Sequence, residues 1–79
     1  MTTFEIVAKL VANAVGRAPE EITPETELQG DLDMDSLDAV ELIMSLEEEL
    51  GISIPSEATQ ELKTVAQIAA LADSLRGQQ

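Results

Sequence analysis

Oxygen-bearing side chains are concentrated around one serine near the middle of the 79-residue chain. Asp31, Asp33 and Asp35 stand at every second residue, which is the spacing at which a calcium loop supplies its first ligands. The resemblance to such a loop then ends, because its sixth residue should be glycine and is Ser36, and its twelfth should be glutamate and is Leu42. Calcium binding is therefore an alternative interpretation of this segment and not the leading one.

Ser36 itself suits the role of a modification site better than that of a nucleophile. The chain has no histidine, and no lysine lies near Ser36 in sequence, so the bases that usually activate a serine nucleophile are missing beside it. At the start of a helix, however, free backbone N–H groups and the positive end of the helix dipole favour a phosphate ester. Another enzyme would have to install that ester. A serine that only favours a helix start is the alternative.

Composition excludes most catalytic and nucleic-acid functions. The chain has no cysteine or histidine, and its formal charge of −12 would repel phosphate backbones and anionic lipids. Its length predicts one domain over residues 1–79, too small to enclose a substrate cleft as well as a core. No signal peptide or membrane-spanning stretch is predicted. We therefore expect a non-enzymatic, cytoplasmic and monomeric protein.

Four helical segments must position Ser36. Apolar spacing and capping residues predict long helices over residues 3–15, 36–50 and 64–76, and a short helix of one or two turns over residues 56–62. Residues 16–35 form a long loop, with a possible turn near Pro24 and apolar anchors at Ile22, Leu28 and Leu32. Residues 52–55 are predicted to be extended. The fold class is an all-α four-helix bundle.

The second helix carries two apolar stripes. At about 100° per residue from Ser36, one stripe lies at roughly 240° to 340° and forms the predicted core face, and the other lies at roughly 40° to 100° among acidic residues. The core stripe contains Ala39, Leu42, Ile43, Leu46 and Leu50, and the second stripe contains Leu37, Val40 and Met44. The second stripe either packs under the loop or the short helix, or forms a docking surface for a basic partner. Fourteen of the sixteen acidic residues lie between Arg17 and Lys63 with no basic residue among them, which favours docking.

The segment that contains Ser36 resembles a known family. Residues 35–55 read DSLDAVELIMSLEEELGISIP, and this stretch looks like the modification-site helix of acyl carrier proteins, most closely the free-standing bacterial type. The resemblance implies that 4′-phosphopantetheine is attached to Ser36 and carries acyl groups as thioesters on its thiol. It also implies that a phosphopantetheinyl transferase and acyl-processing enzymes recognise the helix through basic patches. The implied partner-binding residues are Asp35, Leu37, Asp38, Val40, Glu41, Met44, Glu47 and Glu48.

One departure from the family pattern bears on which transferase modifies the protein and on which pathway it serves. Acyl carrier proteins usually have glycine two residues before the aspartate of the Asp-Ser-Leu motif, and this chain has Asp33 there. Fatty acid biosynthesis is the leading pathway. A carrier for polyketide, lipid-modification or peptide-synthetase chemistry is the closest alternative, and a calcium-binding or protein-docking module is the alternative from another class.

Overall fold

The computed structural model describes residues 2–77 and contains four α-helices in the order that the sequence predicts. They are α1 (Thr3–Val15), α2 (Ser36–Leu50), α3 (Ser56–Thr59) and α4 (Val65–Arg76). The described residues contain no strand, only one isolated bridge between Glu27 and Thr64. The predicted all-α bundle of three long helices and one short helix is therefore confirmed.

Local hydrogen bonds set the starts of the long helices. Thr2 and Glu5 form a capping box at α1, and Thr64 and Gln67 form another at α4. Each box satisfies backbone N–H groups that would otherwise lack a partner in the first turn. α1 and α2 end at Gly16 and Gly51, whose φ values of 71° and 65° lie in the left-handed region that favours glycine.

One face of each long helix forms the core. α1 packs against both α2 and α4, and α2 also contacts α4. The buried hydrophobic residues of the helices are Val7, Ala8, Val11, Ala12, Leu42, Ile43, Leu46, Val65, Ile68 and Ala72. Ala14, which the periodicity of the first helix places on the apolar face, is exposed. Ala8 and Ala12 are buried instead, so the core face of α1 is formed by Val7, Ala8, Val11 and Ala12.

The segments between helices are short structured pieces. The loop contains a 3-10 turn at Pro19–Glu21, which the sequence did not predict. It also contains the predicted turn at Pro24, in which the Thr26 amide donates to the Thr23 carbonyl at 3.1 Å. Ile52 and Ile54 are buried between exposed neighbours, as expected for an extended segment. α3 spans one turn. No helix within residues 2–77 has the length and apolar character required to cross a bilayer.

Candidate functional site

Ser36 is the first residue of α2 and is exposed. The preceding residue, Asp35, caps the helix: its Oδ1 accepts from the Asp38 amide at 2.9 Å, and Asp38 Oδ2 accepts from the Asp35 amide at 3.3 Å. These two hydrogen bonds fix the direction in which the chain enters α2. The Ser36 hydroxyl is thus placed at the positive end of a fifteen-residue helix, which favours a negatively charged ester there.

Buried side chains hold the loop that leads to Ser36. The predicted anchors Ile22, Leu28 and Leu32 are buried, and Met34, two residues before Ser36, is buried as well. The Met34 amide donates to the Leu28 carbonyl at 2.9 Å, which folds the loop back on itself. The approach to Ser36 is therefore a packed structure.

The same loop is paired with the start of α4. The Leu28 amide donates to the Lys63 carbonyl at 2.9 Å, the Val65 amide to the Thr26 carbonyl at 3.0 Å, and the Ala66 amide to the Pro24 carbonyl at 2.9 Å. The bridge between Glu27 and Thr64 belongs to the same contact. The segment before Ser36 consequently has a fixed position relative to α4.

Asp33 has a φ of 57°, and it is the only residue other than glycine with a positive φ in the described part of the chain. The left-handed conformation strains an L-residue, although aspartate tolerates it better than most. Glycine, the usual residue of the family at this place, would adopt it freely. Asp33 therefore keeps a glycine-like conformation and adds an exposed carboxylate three residues from Ser36.

The second apolar stripe of α2 is exposed. Leu37, Val40 and Met44 retain 66%, 50% and 59% of their accessible surface, and they are the exposed large hydrophobic residues within residues 2–77. The interpretation that they pack under the loop or the short helix is therefore wrong. The core stripe is buried at Leu42, Ile43 and Leu46 and half-buried at Ala39 and Leu50.

Most of the acidic residues predicted to act with this stripe are exposed beside it. They are Asp35, Asp38, Glu41 and Glu48. Glu47 differs, because it is half-buried and its Oε2 accepts a hydrogen bond from the Ile54 amide at 2.7 Å. Its carboxylate joins the end of α2 to the segment that leads into α3, so Glu47, like the capping pair Asp35 and Asp38, has a structural contact.

A groove of about 560 Å³ lies beside Ser36, between α2, the loop and the residues that follow α3. Ser36, Ala39 and Val40 of α2 line it together with five residues of the loop, the last residue of α3 and three residues that follow α3: Glu27, Leu28, Gln29, Gly30, Met34, Thr59, Gln60, Leu62 and Lys63. Its volume lies within the range of small-molecule sites, about 300 to 1,000 Å³. A flexible chain attached to Ser36 could therefore lie in this groove.

The residues after α3 were not identified as part of the site from the sequence. Leu62 and Lys63 reach the groove because their segment pairs with the loop, a contact between residues far apart in sequence. The one local signal is their position immediately before the Thr64 cap of α4.

The described acidic residues do not form a calcium site. Within residues 2–77, no three of them come together in a group that could hold a metal ion. Asp31 Oδ2 accepts from the Glu27 amide at 2.8 Å, and Asp35 Oδ1 caps α2. These carboxylates stabilise loop and helix backbone, which does not support the calcium-loop alternative.

Comparison with known proteins agrees with this geometry. The model of a family described as "Phosphopantetheine attachment site" matches residues 5–72. The chain is 48% identical over 65 residues to an acyl carrier protein of Thermosynechococcus vestitus, a match that covers 82% of this chain and 80% of the relative. It also superimposes on the structure of the acyl carrier protein from Enterococcus faecalis with a TM-score of 0.79 and 27% identity, over 95% of this chain and 99% of the other.

Proposed function

Because the chain belongs to the acyl carrier protein family and contains a phosphopantetheine attachment domain, we propose that Ser36 is its attachment residue and fatty acid biosynthesis its pathway. Acyl carrier proteins are carriers and not enzymes. The observation that carries the proposal is the position of Ser36, exposed at the first residue of a capped helix and lining the adjacent groove.

The chemistry of attachment requires a partner enzyme. Ser36 Oγ attacks the phosphorus of coenzyme A that bears the pantetheine, an Oγ–P bond forms, and the bond to the departing adenosine 3′,5′-bisphosphate breaks. The hydroxyl proton leaves to a base on the transferase, because this chain has no histidine to accept it. Once attached, phosphopantetheine supplies the thiol that a chain without cysteine lacks, and this thiol holds acyl groups as thioesters.

The residues around Ser36 fit this role. The start of α2 offers backbone N–H groups and a positive dipole to the negatively charged ester. The buried Met34 and the capping Asp35 keep the serine in place without covering it. The groove gives the attached chain an apolar wall at Leu28, Ala39 and Val40.

The exposed face of α2 is proposed as the docking surface for the transferase and for acyl-processing enzymes. Leu37, Val40 and Met44 provide apolar anchors, and Asp35, Asp38, Glu41 and Glu48 surround them with negative charge. A hydrophobic pocket edged with lysine and arginine is the complementary surface. Glu47 contributes to the same negative field, although its carboxylate also binds the Ile54 amide.

The attachment residue can be tested by intact mass after incubation with coenzyme A and a broad-specificity phosphopantetheinyl transferase. The wild type should gain one phosphopantetheine and Ser36→Ala none. Ser45→Ala is the matched control, because Ser45 is also exposed on α2 and its loss should leave the mass gain intact. Modification of Ser36→Ala, or no modification of either the wild type or Asp33→Gly, would contradict the proposal.

The pathway needs a second experiment. The malonyl-loaded protein should be elongated by purified enzymes of fatty acid synthesis, with the product acyl chain read from the protein's mass. Efficient loading without elongation would instead favour a specialised polyketide, lipid-modification or peptide-synthetase pathway. The unusual Asp33, with its extra charge near Ser36, is the observation that favours that second candidate.

A further inference from the structure

Among the residues that the structure describes, Lys63 is the one basic residue that lines the groove beside Ser36. It is also the only lysine or arginine between Arg17 and Arg76, within a chain of formal charge −12. Its side chain is exposed, so burial does not explain its placement. A single positively charged residue in the lining of the groove attracts any anion that enters, within a protein whose other charges are mostly negative.

The backbone of Lys63 is held on both sides. Its amide donates to Gln67 Oε1 at 2.7 Å, and its carbonyl accepts from the Leu28 amide at 2.9 Å. The first of these bonds ties it to α4 and the second to the loop. The backbone of Lys63 therefore has a fixed position at the wall of the groove. This fixed position limits the region that the ammonium group of its side chain can reach.

The charges around the groove explain what this cation is suited to bind. Apolar cargo needs no positive charge, whereas an anionic group at this place meets the field of the surrounding carboxylates, with Glu27 itself in the groove lining. An ammonium group within a few ångströms offsets that repulsion and pairs with an oxyanion.

We propose that Lys63 binds an oxyanion carried by the chain attached to Ser36. This inference rests on the proposed function. Two groups have the required chemistry, the carboxylate of a carboxyacyl cargo and the phosphodiester of the attached arm. Lys63 would then favour retention of carboxyacyl cargo in the groove over neutral cargo of the same length, or hold the arm against the groove wall.

The experiment uses the protein loaded with succinyl-phosphopantetheine and, separately, with butyryl-phosphopantetheine, which has the same length and no carboxylate. The variants are Lys63→Gln, Lys63→Arg and, as matched control, Lys9→Gln, because Lys9 is an exposed lysine of α1 outside the groove. Mass spectrometry first establishes that every variant is loaded at Ser36. Failure at that step would count against the proposed function, and failure at the later steps against Lys63 alone.

Two NMR measurements then locate the anion. The pKa of a ¹³C-labelled succinyl carboxyl group reports on the cargo, and the ³¹P shift reports on the phosphodiester in both loaded forms. If Lys63 binds the carboxylate, Lys63→Gln should raise that pKa by about 0.5 to 0.7 units, a three- to fivefold change in proton affinity of the size expected for an exposed pair. Lys63→Arg should restore the wild-type value, and Lys9→Gln should leave it within about 0.2 units, because Debye screening weakens more distant charges.

The outcomes separate the two sources. A change of carboxyl pKa confined to Lys63→Gln supports binding of the cargo carboxylate. A ³¹P shift that changes in Lys63→Gln with succinyl and butyryl cargo alike, with the carboxyl pKa constant, supports binding of the phosphodiester. Equal values for Lys63→Gln, Lys9→Gln and the wild type in both measurements would overturn the proposal.

Discussion

The hydrogen bond from the Ile54 amide to Glu47 predicts that this acid stabilises the fold more than the adjacent, exposed Glu48 does. The bond is 2.7 Å long and partly buried. Hydrogen bonds to charged groups contribute about 1.5 to 3 kcal/mol, and partial exposure to water reduces this to about 1 to 1.5 kcal/mol. Glu47→Ala should lower the free energy of unfolding by that amount.

Glu48→Ala is the matched control for this change. Glu48 is the next residue of the same helix and is exposed, so its replacement removes the same charge and gains the same helix propensity without breaking a hydrogen bond. The difference between the two variants isolates the Glu47–Ile54 contact. For a domain of this size, a loss of 1 kcal/mol lowers the melting temperature by roughly 4 to 8 °C.

Urea unfolding followed by far-UV circular dichroism measures the effect, because the chain has no tryptophan or tyrosine for fluorescence. Hydrogen exchange of the Ile54 amide provides a local measurement and should become faster in Glu47→Ala only. Glu47→Gln keeps an acceptor oxygen and should lose less stability than Glu47→Ala. Equal unfolding free energies for Glu47→Ala and Glu48→Ala, with unchanged exchange at Ile54, would refute the structural role of Glu47.

Three further predictions concern charge and backbone conformation. Glu48→Lys should slow association with a basic transferase more than Glu20→Lys does, and the difference should shrink as the salt concentration rises. Equal stopped-flow association rates for the two variants at low salt would contradict a docking role for α2. Asp33→Gly should raise the free energy of unfolding by about 0.5 to 1 kcal/mol, because glycine adopts the φ of 57° without strain; a loss of stability in urea unfolding would show that the Asp33 side chain makes a compensating contact. The hydrogen bond from the Thr2 backbone amide, followed by that involving the Thr2 side chain, lowers the pKa of Glu5 below 4.5. The stability that Glu5 provides is therefore present above about pH 4.5 and is lost as pH falls through its lower folded pKa. In Glu5→Gln, the free energy of unfolding should depend less steeply on pH in the acid range. A Glu5 carboxyl group that titrates at an ordinary pKa by NMR would contradict this prediction.

Helix positions could be predicted because their signals are local. Each capping box joins residues three positions apart, as in the pairs Thr2 with Glu5 and Thr64 with Gln67, so the sequence contains both partners side by side. The 3-10 turn at Pro19–Glu21 is too short for a periodic signal. Two backbone hydrogen bonds form it, from the Glu21 amide to the Ala18 carbonyl and from the Ile22 amide to the Pro19 carbonyl, and Glu21 Oε2 also accepts from the Ala18 amide at 2.9 Å.

The groove could not be predicted because its walls come from distant parts of the chain. Ser36 and Val40 were recognisable from the motif and the second apolar stripe, whereas Leu62 and Lys63 had no pattern of their own. Their place depends on backbone pairing between the loop and the start of α4, where side-chain type carries little information. Exposure of the second stripe was one of two outcomes that helical geometry allowed, and only packing could decide between them.

The pairing of the loop with the start of α4 also has a consequence for folding. Contacts between residues 24–28 and residues 63–66 close a long stretch of chain, and such contacts form late because of their entropic cost. The capped helices can begin to form from local interactions, but the loop gains its partners only once residues 63–66 are in place. We therefore expect the geometry around Ser36 to be among the last features to be completed, and a transferase that recognises this geometry to modify folded chains in preference to nascent ones.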